Sequence, residues 1–190
     1  MPRPPDPALE ARILEAADVL WRRGGEKALT MRAVAKAART NTPAVYRRFR
    51  NRQDLIRGLL RRIIERIRLH FERGVTVQGM SDAYLDYALK MHNEYLLFYS
   101  YSRILSPAKG KGAPRPIRES RPNFAFAERV LAKELGGVPE DHTRTALGLW
   151  ALLHGTAMLL LTKSIPEGHE EELREACRQA VRALIADVNK

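Results

Sequence analysis

The chain has 190 residues, 45% apolar and 29% charged, with 12 glycines and 11 prolines, which suits one or two folded domains and excludes disordered and collagen-like chains. The single cysteine, Cys177, excludes an internal disulfide and a cysteine-based zinc cage, so packing must hold the fold and a reducing compartment is expected. The net charge of +11 is unevenly placed, with +9 on residues 1–62 and +2 on residues 63–190; clustered Lys and Arg gain from counterion release, so this points to a polyanion-binding head on a nearly neutral body.

The opening Met1-Pro2-Arg3-Pro4-Pro5-Asp6 has no apolar run after its basic residue, so no secretory signal is expected and the cytoplasm is the expected location. No sustained alternation of apolar and polar residues marks a strand, and helical periodicity runs almost throughout. A first helix opens at Asp6-Pro7 with Leu9, Ile13, Ala16, Ala17, Leu20 and Trp21 on one stripe, and Gly24-Gly25 ends it. A second, short helix takes Thr30 as its N-cap, with Leu29 and Val34 as a hydrophobic staple and Ala38 closing its apolar face.

Arg39-Thr40-Asn41-Thr42-Pro43 then makes the chain stop and restart within a few residues, which is helix-turn-helix spacing. The restarted helix, roughly 43–49, offers Val45 and Phe49 to a core and turns Pro43, Tyr46, Arg47 and Arg50 away from it. Asn51 caps a long helix with Leu55, Leu59, Ile63, Ile67 and Phe71 inward, and Arg57, Arg61, Arg62, Arg66 and Arg68 mostly outward.

Further helices are expected at about 82–100, 121–135, 140–162 and 168–188, with Ser81 and Pro139 near starts and Gly136-Gly137 and Pro166 at breaks. Residues 106–120, rich in proline, glycine and basic groups, read as a mobile loop. The uncharged stretch Thr145–Thr162 carries His154, two glycines and three threonines and falls short of the ~20 apolar residues of a span, so a buried helix is expected and no membrane partner. The expected class is all-α, about nine helices, with a three-helix head at residues 1–52 and an antiparallel helical body at 53–190.

The residues Leu29-Thr30-Met31-Arg32-Ala33-Val34-Ala35, Thr42-Pro43-Ala44-Val45-Tyr46-Arg47-Arg48-Phe49 and Asn51-Arg52-Gln53-Asp54-Leu55 resemble the DNA-binding domain of the TetR family of bacterial transcriptional regulators, over about residues 8–60. Trp150-Ala151-Leu152-Leu153-His154-Gly155 is similar to a Trp-x-x-x-His-Gly signature in ligand-binding domains of some members. Arg39 stands where the family usually has glycine, and Thr40 where it has an apolar residue. A left-handed arginine costs about 1 kcal/mol, unless the turn differs slightly.

The resemblance implies backbone contacts to DNA by Thr30, Tyr46, Arg48 and Arg52, and the helix N-termini near Thr30 and Arg52 favour a phosphate on their own account. Base reading falls to Arg32, Thr42, Pro43, Ala44 and Arg47, with arginine on guanine and the short side chains on thymine methyls. Each arginine alone also reads as a solvated surface charge, and Tyr46 as a packing residue.

Five of the six tyrosines lie in the 18-residue window Tyr84–Tyr101. With residues beyond that window they define a candidate ligand-binding set of Ile67, Tyr84, Tyr87, Met91, Tyr95, Phe98, Phe124, Trp150, His154 and Met158, suited to a small apolar or aromatic effector. The same stripe also reads as plain core, and His154 as a satisfied buried histidine.

No Gly-x-Ser-x-Gly elbow is present, Gly110-Lys111-Gly112 lacks phosphate-loop spacing, and the five histidines stand at least a dozen positions apart. No catalytic residue, metal site or cofactor is therefore expected. The expectation is a homodimeric, ligand-responsive repressor on a palindromic duplex operator. Its rivals are a small helical enzyme using the tyrosine-rich cleft, which would turn over a substrate, and a membrane-surface or RNA-binding helical protein, whose binding would follow lipid charge or single strands.

Overall fold

Side-chain caps at Thr30, Asn41 and Thr76 and left-handed residues at Arg39, Gly136 and Lys163 set several of the helix ends. The structure is a computed structural model that describes residues 8–105 and 116–188; among these it has ten α-helices, two short 3-10 turns and no strand. The helices are α1 (Leu9–Ala28), α2 (Met31–Ala37), α3 (Thr42–Arg48), α4 (Arg52–Phe71), α5 (Val77–Lys90), α6 (His92–Tyr101), α7 (Ile117–Ser120), α8 (Pro122–Leu135), α9 (Thr143–Leu161) and α10 (Glu170–Val188). The 3-10 turns are Ser102–Leu105 and Pro139–His142.

The all-α class is as expected, and two departures raise the helix count. The helix expected at 82–100 is two helices, because Met91 leaves helical geometry at φ −113°, ψ 40°. Its start is earlier too: Thr76 caps α5 by accepting the Gly79 N–H at 3.0 Å. Ser81, expected near the start, lies buried inside α5 and donates to the Val77 carbonyl at 2.7 Å. The second departure is α7, which occupies the end of the segment expected to be loop. Residues 106–115 of that segment, and the Asp6-Pro7 cap, lie outside the described residues.

The chain divides into two compact units, one of residues up to Ile63 with Asn93–Ala108, the other of Ile64–His92 with the residues from Lys109 onward. In the first unit, α1 packs on α2 and α2 on α3. Ile13, Ala17, Val34, Val45, Leu55, Leu59 and Ile63 are fully or almost fully buried, which is the stripe the periodicity marked. Gly25, at φ 57° and ψ −146°, breaks α1 before its last turn; only glycine adopts that geometry without strain. Within this unit α6 is tied to α1, since the Trp21 indole N–H donates to the Asn93 carbonyl at 2.7 Å and the Asn93 amide to the Arg22 carbonyl at 2.9 Å.

In the second unit α5 packs against α8, α9 and α10, with α7 on α8, and α9 on α8 and α10. The link before α5 is tight: a Cβ at Gly74 would lie 2.4 Å from the Gly79 and Met80 backbone, so only hydrogen fits. The 23-residue run Pro139–Leu161 is long and apolar enough to cross a membrane by length and composition. The buried helix expected here is buried on one face only: Ala146, Leu149, Leu153, Thr156 and Ala157 face inward, while Leu147, Gly148, Ala151, Gly155 and Leu159 are exposed.

Candidate nucleic-acid interface and effector region

The turn between α2 and α3 is built from local hydrogen bonds. Thr30 caps α2 by accepting the Ala33 N–H at 3.1 Å, and Asn41 caps α3 by accepting the Ala44 N–H at 2.9 Å. At the end of α2 the Arg39 N–H bonds the Lys36 carbonyl at 3.2 Å and the Thr40 N–H bonds the Ala35 carbonyl at 3.0 Å. This is the Schellman pattern, with Arg39 at φ 53° in the left-handed position usually given to glycine. The turn therefore keeps its geometry and carries the strain.

Val45 and Phe49 point into the core, as expected, and Pro43, Tyr46, Arg47, Arg48 and Arg50 stand on the open side of α3, Tyr46 at 49% exposure. Thr42 is half-buried and Thr30 and Arg32 are exposed. The Thr30 hydroxyl accepts its cap bond and still has its hydrogen to donate. Ala44 is 4% exposed, so its methyl packs inward and does not share the open face with the other candidates.

Arg52 is engaged within the protein. Its Nε donates to the Leu29 carbonyl at 3.1 Å, and its Nη2 to the Glu26 carbonyl at 3.3 Å and to Glu26 Oε1 at 3.2 Å. The guanidinium thus satisfies carbonyls at the end of α1 and joins them to the start of α4. Tyr101 of α6 donates to the same Glu26 carboxylate. That bond, with the charge and hydrogen bond of Arg52, holds the Glu26 carboxyl below its ordinary range against a smaller desolvation effect.

Some cations of this unit are held by carboxylates and others are not. Arg22 pairs with Asp18 and Glu94, Arg57 with Asp54, and Arg62 with Glu15. Among the described residues no carboxylate pairs with the exposed Arg32, Lys36, Arg39, Arg47 or Arg50. The run Lys27–Arg50 holds seven cations and no acid at all, a signal that would have added Lys36, Arg39 and Arg50 to the candidates.

Of the ten ligand candidates, Tyr95 and Phe98 fall in the first unit and the other eight in the second. Both are buried on α6, where Tyr99 lies 4.7 Å from the Tyr95 ring and 5.2 Å from the Phe98 ring. In the second unit Tyr84 stacks on Phe71 at 5.6 Å, Tyr87 tilts against His70 at 5.6 Å, and Phe124 meets Trp150 edge-on at 6.2 Å. Ile67 is buried, while Met91, His154 and Met158 are half-buried. Partial burial pushes the His154 imidazole below its ordinary value, which keeps it neutral at pH 7.

An open cleft of about 510 Å³ lies elsewhere on this unit, lined by His70, Arg73, Asp82, Ala83, Leu85, Asp86, Arg174 and Arg178. Its walls are polar, with His70 Nε2 3.3 Å from Asp86 and an ion pair of Arg178 with Asp82 at 3.7 Å, and none of the expected ligand residues lines it. Sequence reasoning also passed over Glu128, 1% exposed on α8. Its Oε1 accepts from Arg118 Nη2 at 3.2 Å and from the Thr143 hydroxyl at 2.7 Å. Among the described residues no group of three or more His, Cys, Asp or Glu is placed to hold a metal ion.

Residues 13–59 match the family described as bacterial regulatory proteins, tetR family, and residues 77–184 match the tetracyclin repressor-like C-terminal domain. No curated protein matches the chain. Among solved structures, a Rhodococcus sp. RHA1 protein of unknown function is similar at TM-score 0.72 and 20% identity, covering 100% of both chains. A TetR-family transcriptional regulator from Streptomyces coelicolor is similar at TM-score 0.64 and 24% identity, over 95% of this chain and 99% of that one. A point variant of TetR from Acinetobacter baumannii AYE, in complex with minocycline, is similar at TM-score 0.59 and 18% identity, over 92% and 93% of the two chains.

Proposed function

Because the chain belongs to the TetR family of bacterial regulatory proteins, we propose that it is a cytoplasmic, ligand-responsive repressor that binds a palindromic operator as a homodimer and leaves it when a small, largely apolar effector binds. The observation that carries the DNA-binding half is the contrast between cations. Those of α2, the turn and α3 lie in an acid-free run with five of them unpaired, while Arg22 of α1 and Arg57 and Arg62 of α4 are engaged by carboxylates. A guanidinium without an internal partner keeps its full Coulombic gain for a phosphate or a guanine edge.

In this reading residues 1–52 are the DNA-binding domain and 53–190 the effector and dimerisation domain. Thr30, Tyr46 and Arg48 hold phosphates; Arg32, Thr42, Pro43 and Arg47 face base edges in the major groove. Arg52 positions α4 against the end of α1 instead of touching DNA. The exposed apolar side of α9 supports the dimer, since a second copy laid on Leu147, Gly148, Ala151, Gly155 and Leu159 removes that face from water. The minocycline complex of a protein of this fold supports a small-molecule effector.

Release follows if the effector binds better to a conformation whose two heads are wrongly set for successive major grooves, since equal affinity for both states shifts nothing. No catalytic role is part of this reading. The test is fluorescence anisotropy with duplexes retained by the protein from a random pool. Arg47→Ala and Arg32→Ala each lower affinity, and Arg32→Ala flattens discrimination at one position per half-site by ~1–3 kcal/mol. Affinity unchanged by both substitutions contradicts the assignment of this face.

A further inference from the structure

The second unit contains a buried acceptor that nothing among the described residues satisfies. Glu128 Oε2 is inaccessible and has no hydrogen-bond partner, although its Oε1 takes two donors. Among the described residues the cation paired with Glu128 is Arg118, which is shared with the exposed Glu140, so one guanidinium serves two carboxyl groups. A buried carboxylate with an unmet oxygen costs free energy that a well-packed apolar side chain would not. The surroundings suit an organic ligand. Phe124 lies one helical turn before Glu128 on the same side of α8, and its ring meets Trp150 of α9 at 6.2 Å. On α9 Thr143, which bonds Glu128 at 2.7 Å, lies two turns before Trp150.

We propose that Glu128 is a ligand-binding residue, and that the effector is a lipophilic amine whose N–H or ammonium group is accepted by Oε2 while its apolar body lies along the seam that carries Phe124 and Trp150. A donor in this position gives the unmet oxygen its missing hydrogen bond, with the aromatic faces adding attraction for the cation. This narrows the apolar effector proposed above to a class with one required donor, and it rests on reading the second unit as the effector domain.

The test is isothermal titration calorimetry of the full chain with naphthylmethylamine and its neutral counterpart naphthylmethanol. The amine binds about tenfold more tightly or better, the difference expected of a hydrogen bond to a charged group. Glu128→Gln abolishes the preference, with circular dichroism recording whether that variant folds. Arg118→Gln, which removes the competing guanidinium and keeps the carboxylate, raises amine affinity. An amine no tighter than the alcohol, including binding of neither, overturns the proposal, as does a Glu128→Gln protein that keeps the preference or an Arg118→Gln protein that binds the amine more weakly. Operator release is measured alongside. Release by naphthylmethanol as readily as by the amine overturns the amine class and leaves the effector reading standing; amine preference without release overturns the effector reading and leaves the Glu128 site standing.

Discussion

Arg39 holds φ 53° at the end of α2, a conformation glycine adopts freely and arginine does not. Arg39→Gly is therefore expected to raise stability by about 1 kcal/mol in chemical denaturation. The same change removes an unpaired cation of the acid-free run and lowers affinity for duplex DNA. A variant that is less stable than the parent contradicts the strain. Arg52 makes a different prediction. Since its guanidinium binds the Leu29 and Glu26 carbonyls, Arg52→Ala lowers the melting temperature and leaves the slope of log affinity against log salt unchanged; a slope shallower by ~0.9 would mean that Arg52 neutralises a phosphate. Glu26, held below its ordinary range chiefly by Tyr101 and then by Arg52, contributes stability that is present above the ordinary carboxylate value and is lost as pH falls through its lowered one. Glu26→Gln accordingly flattens the acid side of the stability profile.

Among the elements, α1 to α4 were legible because their signals are local: caps at Thr30 and Asn41, a proline at the start of α3 and one apolar stripe per helix fix ends and faces together. The break at Met91 was not, since no glycine or proline marks it and the apolar pattern continues across it. The burial of Ala44 and the internal contacts of Arg52 were not legible for a related reason. A motif gives sequence neighbours, whereas the inward turn of Ala44 and the reach of Arg52 to Leu29, 23 residues earlier, depend on tertiary packing. Glu128 left no signal at all, because burial of a lone acid on α8 follows from where Arg118 and Thr143 lie in the fold. At this scale the testable element is α9. Ala151→Arg places a charge on its exposed apolar face between Gly148 and Gly155, where a Cβ on either glycine meets open space. The variant is expected to fold with unchanged helicity and to scatter light as a monomer at micromolar concentration, where the parent scatters as a dimer. A parent that is already monomeric sinks the proposed interface.

For the molecule as a whole, the proposed mechanism requires effector and operator to oppose one another by the same factor in both directions, a coupling on the order of 1–3 kcal/mol. That reciprocity presupposes the central claim, that the chain reads duplex DNA through the unpaired cations of α2 and α3. The most direct measurement is selection from a random duplex pool at physiological salt, followed by sequencing of the retained DNA. The account predicts enrichment of one motif as two inverted half-sites about one helical turn apart, bound with affinity that falls steeply as salt rises. Retained DNA with the composition of the input pool, or binding that favours single strands over duplex, would contradict it.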